Sequence, residues 1–292
     1  MKRVKCDLCG SKAYKELFHR RDRLCGIPGT FRVVQCVRCG LVFLNPMPCQ
    51  EELVQYYPDE YYVQYVLTPE IAIEMVPVQA GGRILDVGCG SGHFLEIHHR
   101  LGWDIYGVEV SPMLLKILRS KRLNVLNGTL MDARFPDDYF DVVRLHHVIE
   151  HLHTPTQTMI EVRRILKPGG KALVATPNIH SLMYALFKER WFQLDAPRHL
   201  YFFSVETIRN LCAKVGLKVN RIHYVCHNWS WWGSLKYVLS DGRPSGVWGS
   251  SWILKVYDGV QKNRACDALV SAFLWGVKAI HWADTIRVEA IK

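Results

Sequence analysis

The segment that most constrains this chain is RILDVGCGSGHF, residues 83–94. A short apolar run ends in three glycines at alternate positions, Gly88, Gly90 and Gly92, and the helix-forming stretch HFLEIHHRLG follows at once. Glycines between a strand and a helix let the backbone bend sharply and approach a ligand closely, and the helix start presents unpaired N–H groups there. That order of elements belongs to an open α/β sheet that binds ligands at its strand ends.

The following sequence keeps the same alternation. DIYGVEV (104–110) reads as a second strand, and Pro112 opens the helix PMLLKILRSK at a position where its missing N–H is harmless. FDVVRLHHV (140–148) is a further strand. Pro155 to Lys167 is an amphipathic helix stopped by Pro168-Gly169-Gly170, and KALVATP (171–177) is the next strand. LKVNRIHYV reads as the sixth strand and TIRVEAI (285–291) as the last, expected antiparallel at the sheet edge. The fold class predicted is α/β, a doubly wound, Rossmann-like parallel sheet. Glu109 closes the second strand 21 residues beyond Gly88. A carboxylate there can accept hydrogen bonds from both hydroxyls of a ribose.

The glycine spacing is G-x-G-x-G with Asp86 just before it, which departs from the dinucleotide pattern G-x-G-x-x-G. This D-x-G-x-G-x-G form resembles the first motif of class I S-adenosylmethionine-dependent methyltransferases, whose sheet has seven strands. The resemblance runs on through GVEVSP with Glu109, LMDARFPDDYFDVV with Asp132, HHVIEHL, and EVRRILKPGGKALVATPN. It implies that Glu109 binds the ribose and that Asp132, with Ala133 beside it, holds the adenine amino group. Asp86, Gly88, Cys89, Gly90, Gly92, Val110 and His146 complete the implied set of cofactor contacts. From the residues alone, Asp86 could equally orient the loop, and Cys89 reads as a small filler.

Before this core lie two C-x-x-C-G pairs, Cys6/Cys9 in CDLCG and Cys36/Cys39 in CVRCG, with 26 residues between Cys9 and Cys36. Two such knuckles can supply four thiolates to one tetrahedral zinc, and a closed four-ligand site is structural. Gly10 and Gly40 suit the tight turn that points the sulfurs inward, and FRVVQC leads into the second pair as a strand. The competing reading is a set of free thiols. Cys25 and Cys49 lie outside the pairs. The predicted organisation is a zinc ribbon over 1–48, a linker over 49–80 with a short helix from Glu51 to Tyr57, and a catalytic domain over 81–292.

The chain has 292 residues, 49% of them hydrophobic, which accommodates one large core and a small appended module. No apolar stretch follows the charged start, so an export signal is not expected. Residues 268–277, the most apolar late run, are too few to span a bilayer. The cysteine pairing suits a reducing compartment, and a cytoplasmic location is expected. The net charge of +10 is concentrated at the start, where residues 1–40 hold ten Lys/Arg against three Asp/Glu. That is either a surface for an anionic partner or a solvated face offsetting a zinc–thiolate cluster.

The aromatic run from Trp191 to Phe203 falls where such sheets carry substrate loops. Residues 229–283 form an insertion before the last strand and hold seven of the nine tryptophans. It could cover the core, form a dimer face or touch a membrane surface peripherally. The arrangement as a whole resembles bacterial zinc-ribbon methyltransferases of sugar, polysaccharide and other small-molecule pathways. One branch methylates carbon through a Glu-His pair in H-E-H-x-x-Y-F-S. Here PRHLYFFS keeps the histidine as His199 but has Arg198 in the glutamate position, which argues against that carbon chemistry. His199 and His151 are the candidate general bases, each with a hydrogen-bonded structural role as the alternative. Arg198 could bind a phosphate or carboxylate on a small-molecule substrate. Two other functions compete: ribosomal RNA methylation guided by the basic ribbon, and a non-catalytic zinc-ribbon adaptor.

Overall fold

The computed structural model describes residues 1–59, 61, 81–240, 257 and 259–292. Most of the expected linker and the middle of the insertion, including Trp248 and Trp252, lie outside the described residues. In chain order the strands are β1 (Tyr14–Arg20), β2 (Phe31–Cys36), β3 (Val42–Leu44), β4 (Arg83–Val87), β5 (Asp104–Glu109), β6 (Val125–Asn127), β7 (Phe140–His146), β8 (Leu166–Pro177), β9 (Tyr201–Phe202), β10 (Lys218–Val225) and β11 (Thr285–Ile291). The α-helices are α1 (Gln50–Leu53), α2 (His93–Arg100), α3 (Pro112–Ser120), α4 (Pro155–Ile165), α5 (Leu182–Phe187), α6 (Val205–Lys214), α7 (Asn228–Leu239) and α8 (Arg264–Ala279).

The described residues pack as two compact units. One comprises Met1–Tyr56, Pro177–Thr207 and His223–Ile286, and the other Tyr57–Thr176, Ile208–Ile222 and Arg287–Lys292. In the first unit a four-stranded sheet runs β1-β2-β3-β9. The ribbon strands are thus extended by Tyr201–Phe202, with Phe43 paired to Tyr201 and Val42 to Phe202. Val33, Val34, Phe43, Leu44, Tyr201 and Phe202 are buried, so these distant segments share one core. Two arginines of the basic start are drawn into this packing. Arg20 is buried with Nη1 and Nη2 donating to the Glu189 and Trp191 carbonyls, and Arg32 Nε donates to the Asn45 carbonyl at 2.6 Å. Burial, with Arg23 nearby, brings the Arg20 guanidinium down to about 10.

The second unit is built on the larger sheet, ordered β10-β11-β8-β7-β4-β5-β6. β4 pairs in parallel with β5 on one side and β7 on the other, Ile84 lying opposite Ile105 and Val142. Strand order reverses at β4, which places the binding crevice at its C-terminal end. β11 is not at the edge, where the sequence pattern had placed it. It lies between β10 and β8, and its first four residues are buried. The Lys292 amide bonds the Gly170 carbonyl at 3.1 Å while the Gly169 amide bonds the Lys292 carbonyl at 3.2 Å, so β11 runs antiparallel to β8. The β8 ladder also begins earlier than expected, at Leu166, and resumes at Lys171 after an irregularity across Pro168-Gly169-Gly170.

Local chemistry explains the helix starts. Ser111 Oγ accepts from the Leu114 amide ahead of Pro112, and Ser204 and Thr207 exchange side-chain and backbone hydrogen bonds at the head of α6. Among the described residues no helix is long and apolar enough to cross a membrane.

Candidate functional site

At the end of β4 the backbone takes positive φ at all three glycines, 65° at Gly88, 58° at Gly90 and 78° at Gly92. The reasons differ. A Cβ at Gly88 would lie 2.7 Å from Val148 Cγ2, and one at Gly92 would lie 2.5 Å from Leu123 Cδ1. A Cβ at Gly90 would meet nothing within 4 Å, so the space beside Gly90 is open. Two glycines pack the loop and the third leaves a cradle. Lys121, which sequence reasoning missed, braces the loop by donating to the Ser91 carbonyl at 2.9 Å and to Glu96 Oε2 at 2.7 Å.

Glu109 stands beside that cradle. Its Oε2 accepts from the Gly90 amide at 2.9 Å, and its Oε1 accepts from the Val110 and Ser111 amides at 2.8 Å each. Burial raises its carboxyl above the usual range, while the Ser111, Gly90 and Val110 amides work the other way. The Gly128 amide donates to the Glu109 carbonyl at 3.0 Å, joining the end of β6 to β5. Asp132 follows on the next turn, 3.2 Å from where a Gly128 Cβ would be. Its Oδ2 accepts from the Thr129 amide and hydroxyl at 2.9 and 2.7 Å, which lowers its carboxyl. Ala133 beside it is half-buried and Val110 is exposed. Glu109, Asp132 and the glycine loop thus converge on one end of the sheet. The open space at Gly90, bordered by a buried carboxylate, fits a ribose and the amino-acid end of S-adenosylmethionine.

Two expected cofactor contacts face elsewhere. Asp86 is fully buried, with Oδ1 and Oδ2 at 2.9 and 3.0 Å from Arg144 Nη1. Burial raises its carboxyl and Arg144 opposes the rise. Asp86 therefore holds the loop from below. A charged residue within the apolar strand FDVVRLHH was the available signal for this partner, because a buried cation needs one. Cys89 points its side chain into the hydrophobic core, and burial drives its thiol far up. Only its backbone faces the loop, the amide bonding the Val108 carbonyl at 3.2 Å.

At the end of β7, His146 is half-buried and meets the His147 ring edge-on at 4.8 Å. His147 Nδ1 lies 3.1 Å from Glu150 Oε1 on the following 3₁₀ turn, Ile149–His151. His151 Nδ1 lies 3.1 Å from the Tyr57 hydroxyl, a partner from the linker that no local pattern indicated.

The first unit holds the other base candidate. His199 is buried, and its Nδ1 lies 2.9 Å from the Gln193 carbonyl oxygen. A carbonyl only accepts, so Nδ1 carries a hydrogen and donates it to Gln193. Gln193 Nε2 in turn donates to Asp284 Oδ2 at 2.8 Å. Arg198 does not serve a substrate anion. It is fully buried, and its guanidinium is engaged by Asp22, by Asp195 and by the Tyr56 carbonyl at 2.6–2.9 Å. Asp22 and Asp195 hold Arg198 protonated despite its burial.

In the ribbon, Cys6 Sγ lies 3.4 Å from Cys39 Sγ and Cys9 Sγ 3.5 Å from Cys36 Sγ, and all four sulfurs fall within 4.8 Å of one another. Tetrahedral Zn–S bonds of about 2.3 Å need sulfurs about 3.8 Å apart, so this donor set can hold one such ion with a small expansion. The Gly10 and Gly40 amides close the knuckles onto the Cys6 and Cys36 carbonyls at 2.8 and 3.0 Å. Burial opposes ionisation of Cys36, but the Cys39 and Arg38 amides bring its thiol down to about 7, while burial holds Cys39 up at about 11.

A glycine turn spaced G-x-G-x-G at the point where strand order reverses, answered by an acid at the end of the neighbouring strand, is the arrangement of a class I S-adenosylmethionine-dependent methyltransferase. The chain belongs to the methyltransferase-domain family, whose model matches residues 60–222. It is 30% identical over 205 residues to a ubiquinone biosynthesis O-methyltransferase of Cereibacter sphaeroides, covering 61% of this chain and 83% of that protein. With the Xanthomonas euvesicatoria protein of the same name it shares 34% over 116 residues, 37% of this chain and 48% of that one, less than half the relative's length. Among solved structures it resembles a Haemonchus contortus phosphoethanolamine N-methyltransferase 2 in complex with S-adenosyl-L-methionine (TM-score 0.56, 18% identity, 86% of this chain and 61% of that one). It also resembles an S-adenosylmethionine-dependent methyltransferase of Mesorhizobium loti (TM-score 0.51, 18% identity, 75% of this chain and 94% of that one). At such identities these likenesses carry the fold alone.

Proposed function

We propose that this protein methylates a hydroxyl oxygen on a small molecule. The observation that carries the reading is the Glu109 carboxylate, held by the Gly90, Val110 and Ser111 amides beside open space in the glycine turn. The choice of oxygen draws on the relatives, which are O-methyltransferases. The choice of a sugar or glycan precursor as acceptor draws on the zinc-ribbon resemblance. The relatives instead work in ubiquinone biosynthesis, so a phenolic acceptor belongs in the same test.

Bound S-adenosylmethionine supplies an electrophilic methyl carbon on a sulfonium. The chain's part is to align acceptor and carbon, a contribution of roughly 7–11 kcal/mol, and to take the hydroxyl proton. We assign that proton to Nε2 of His199, with Nδ1 fixed on the Gln193 carbonyl. His151, against Tyr57, is the second candidate. The cofactor's methyl group would pass to the acceptor oxygen, and the cofactor would depart as S-adenosylhomocysteine. Glu109, Asp132 and the glycine turn would hold the nucleoside. Cys6, Cys9, Cys36 and Cys39 would hold a structural zinc, and their C-x-x-C pairing suits a reducing, cytoplasmic setting.

The test is transfer of labelled methyl from S-adenosylmethionine to sugar-nucleotide and phenolic acceptors. His199→Ala is expected to lose turnover with cofactor affinity kept. Transfer to neither acceptor class, with cofactor bound, rejects the substrate assignment. No calorimetric binding of S-adenosylmethionine rejects the whole reading.

A further inference from the structure

We propose that the outer face of α8 rests on an anionic lipid surface. The helix has two unlike sides. Leu274 and Val277 are buried, and Asp267, its one acid, is tied to α7 through Asn228 Nδ2 at 2.9 Å and Trp232 Nε1 at 3.1 Å. The other side shows Leu269, Phe273 and Trp275 to solvent at 72, 43 and 74% exposure, and Ile280 and Trp282 continue it at 59 and 52%. The positions between them on that face are alanines and one glycine. Phe273 is in part engaged, its ring meeting Trp231 at 5.4 Å.

A contiguous apolar strip of this kind marks an interaction surface. Charge decides which. Exposed Lys262 and Arg264 stand at one end of the strip and exposed Lys278 at the other, while the strip itself carries no acid. Cations bordering an apolar face complement lipid phosphates above an acyl layer. Tryptophan suits that boundary, with an apolar ring and a hydrogen-bonding N–H. With 16 residues the helix is about 24 Å long, which suits lying in the plane of a membrane surface.

The experiment is co-sedimentation of the full chain with phosphatidylcholine vesicles, with and without phosphatidylglycerol, at low and high salt. Binding to the mixed vesicles, weakened by salt, is expected. Leu269→Ser with Trp275→Ser should lower that binding about tenfold or more without changing the thermal midpoint, and Lys278→Glu should lower it several-fold. Equal binding by these variants, or no binding to mixed vesicles, overturns the proposal. So does a dimer in sedimentation velocity that the double variant dissolves, which would make a second copy the occupant. A fall in midpoint for the double variant overturns it too, since the strip would then be covered by the chain itself.

Discussion

Arg144 Nη1 reaches both carboxylate oxygens of Asp86, at 2.9 and 3.0 Å, where β4 and β7 lie side by side. The guanidinium also stacks 4.2 Å over the Phe94 ring, so one cation joins two strands to the helix that follows the glycine turn. Removing one partner strands a buried charge. Arg144→Leu is expected to destabilise the protein by about 3–5 kcal/mol, and adding Asp86→Leu should recover most of it. Urea unfolding of both variants checks this; a double variant no better than the single would mean that the pair does more than neutralise itself.

The three glycines of the turn should fail differently. Gly90→Ala places a methyl in open space at φ 58°, a backbone strain of about 1–2 kcal/mol, and should fold while losing cofactor affinity because the methyl fills the cradle. Gly88→Ala drives a methyl into Val148 and should lose stability as well. Thermal melts beside cofactor titrations separate the two outcomes. Equal cofactor affinity in Gly90→Ala and wild type would remove Gly90 from the binding site.

Arg198 reads as a cation for substrate in the sequence and is a structural tie in the fold. Arg198→Ala would leave Asp22 and Asp195 facing each other, and a loss of about 3–5 kcal/mol is expected. Arg198→Lys should rescue little, since one ammonium cannot replace a fork serving two carboxylates. A raised KM with an unchanged melting curve would restore the substrate role.

The ribbon's dependence on metal is open to direct measurement. Cys36→Ser should abolish stoichiometric zinc by elemental analysis and lower the melting temperature of the whole chain, because β2 lies inside the sheet that β9 completes. Full zinc content in the variant would exclude Cys36 as a ligand.

One pH effect can be given a sign. Burial opposes the charge on Asp141, but Lys167 Nζ at 2.8 and 2.7 Å and the Arg83 amide at 2.8 Å hold its carboxyl below the usual range. A carboxyl depressed in the folded state stabilises above its unfolded value and stops doing so as pH falls through its folded value. Asp141→Asn should therefore cost about 1 kcal/mol at neutral pH, a figure discounted because the pair is about a third exposed. The gap should close as pH drops below about 4. Chemical unfolding at both pH values measures it; a gap independent of pH would assign the effect to packing.

Much of this protein was already decided by local sequence. The glycines at 88, 90 and 92 demand positive φ, Pro112 and Ser111 start α3, and paired C-x-x-C-G knuckles bring four sulfurs together whatever lies between. These features act over a few residues, so the chain carries them wherever it goes. Tertiary structure alone decided that Tyr201–Phe202 completes the ribbon sheet, that β11 slips between β10 and β8, and that Asp86 pairs with Arg144. It also decided that Arg198 is consumed by Asp22 and that His151 finds Tyr57. Each of these joins residues far apart in sequence, where no periodicity announces the partner. A buried charge or an open strand edge must be satisfied, but only packing determines which distant residue satisfies it.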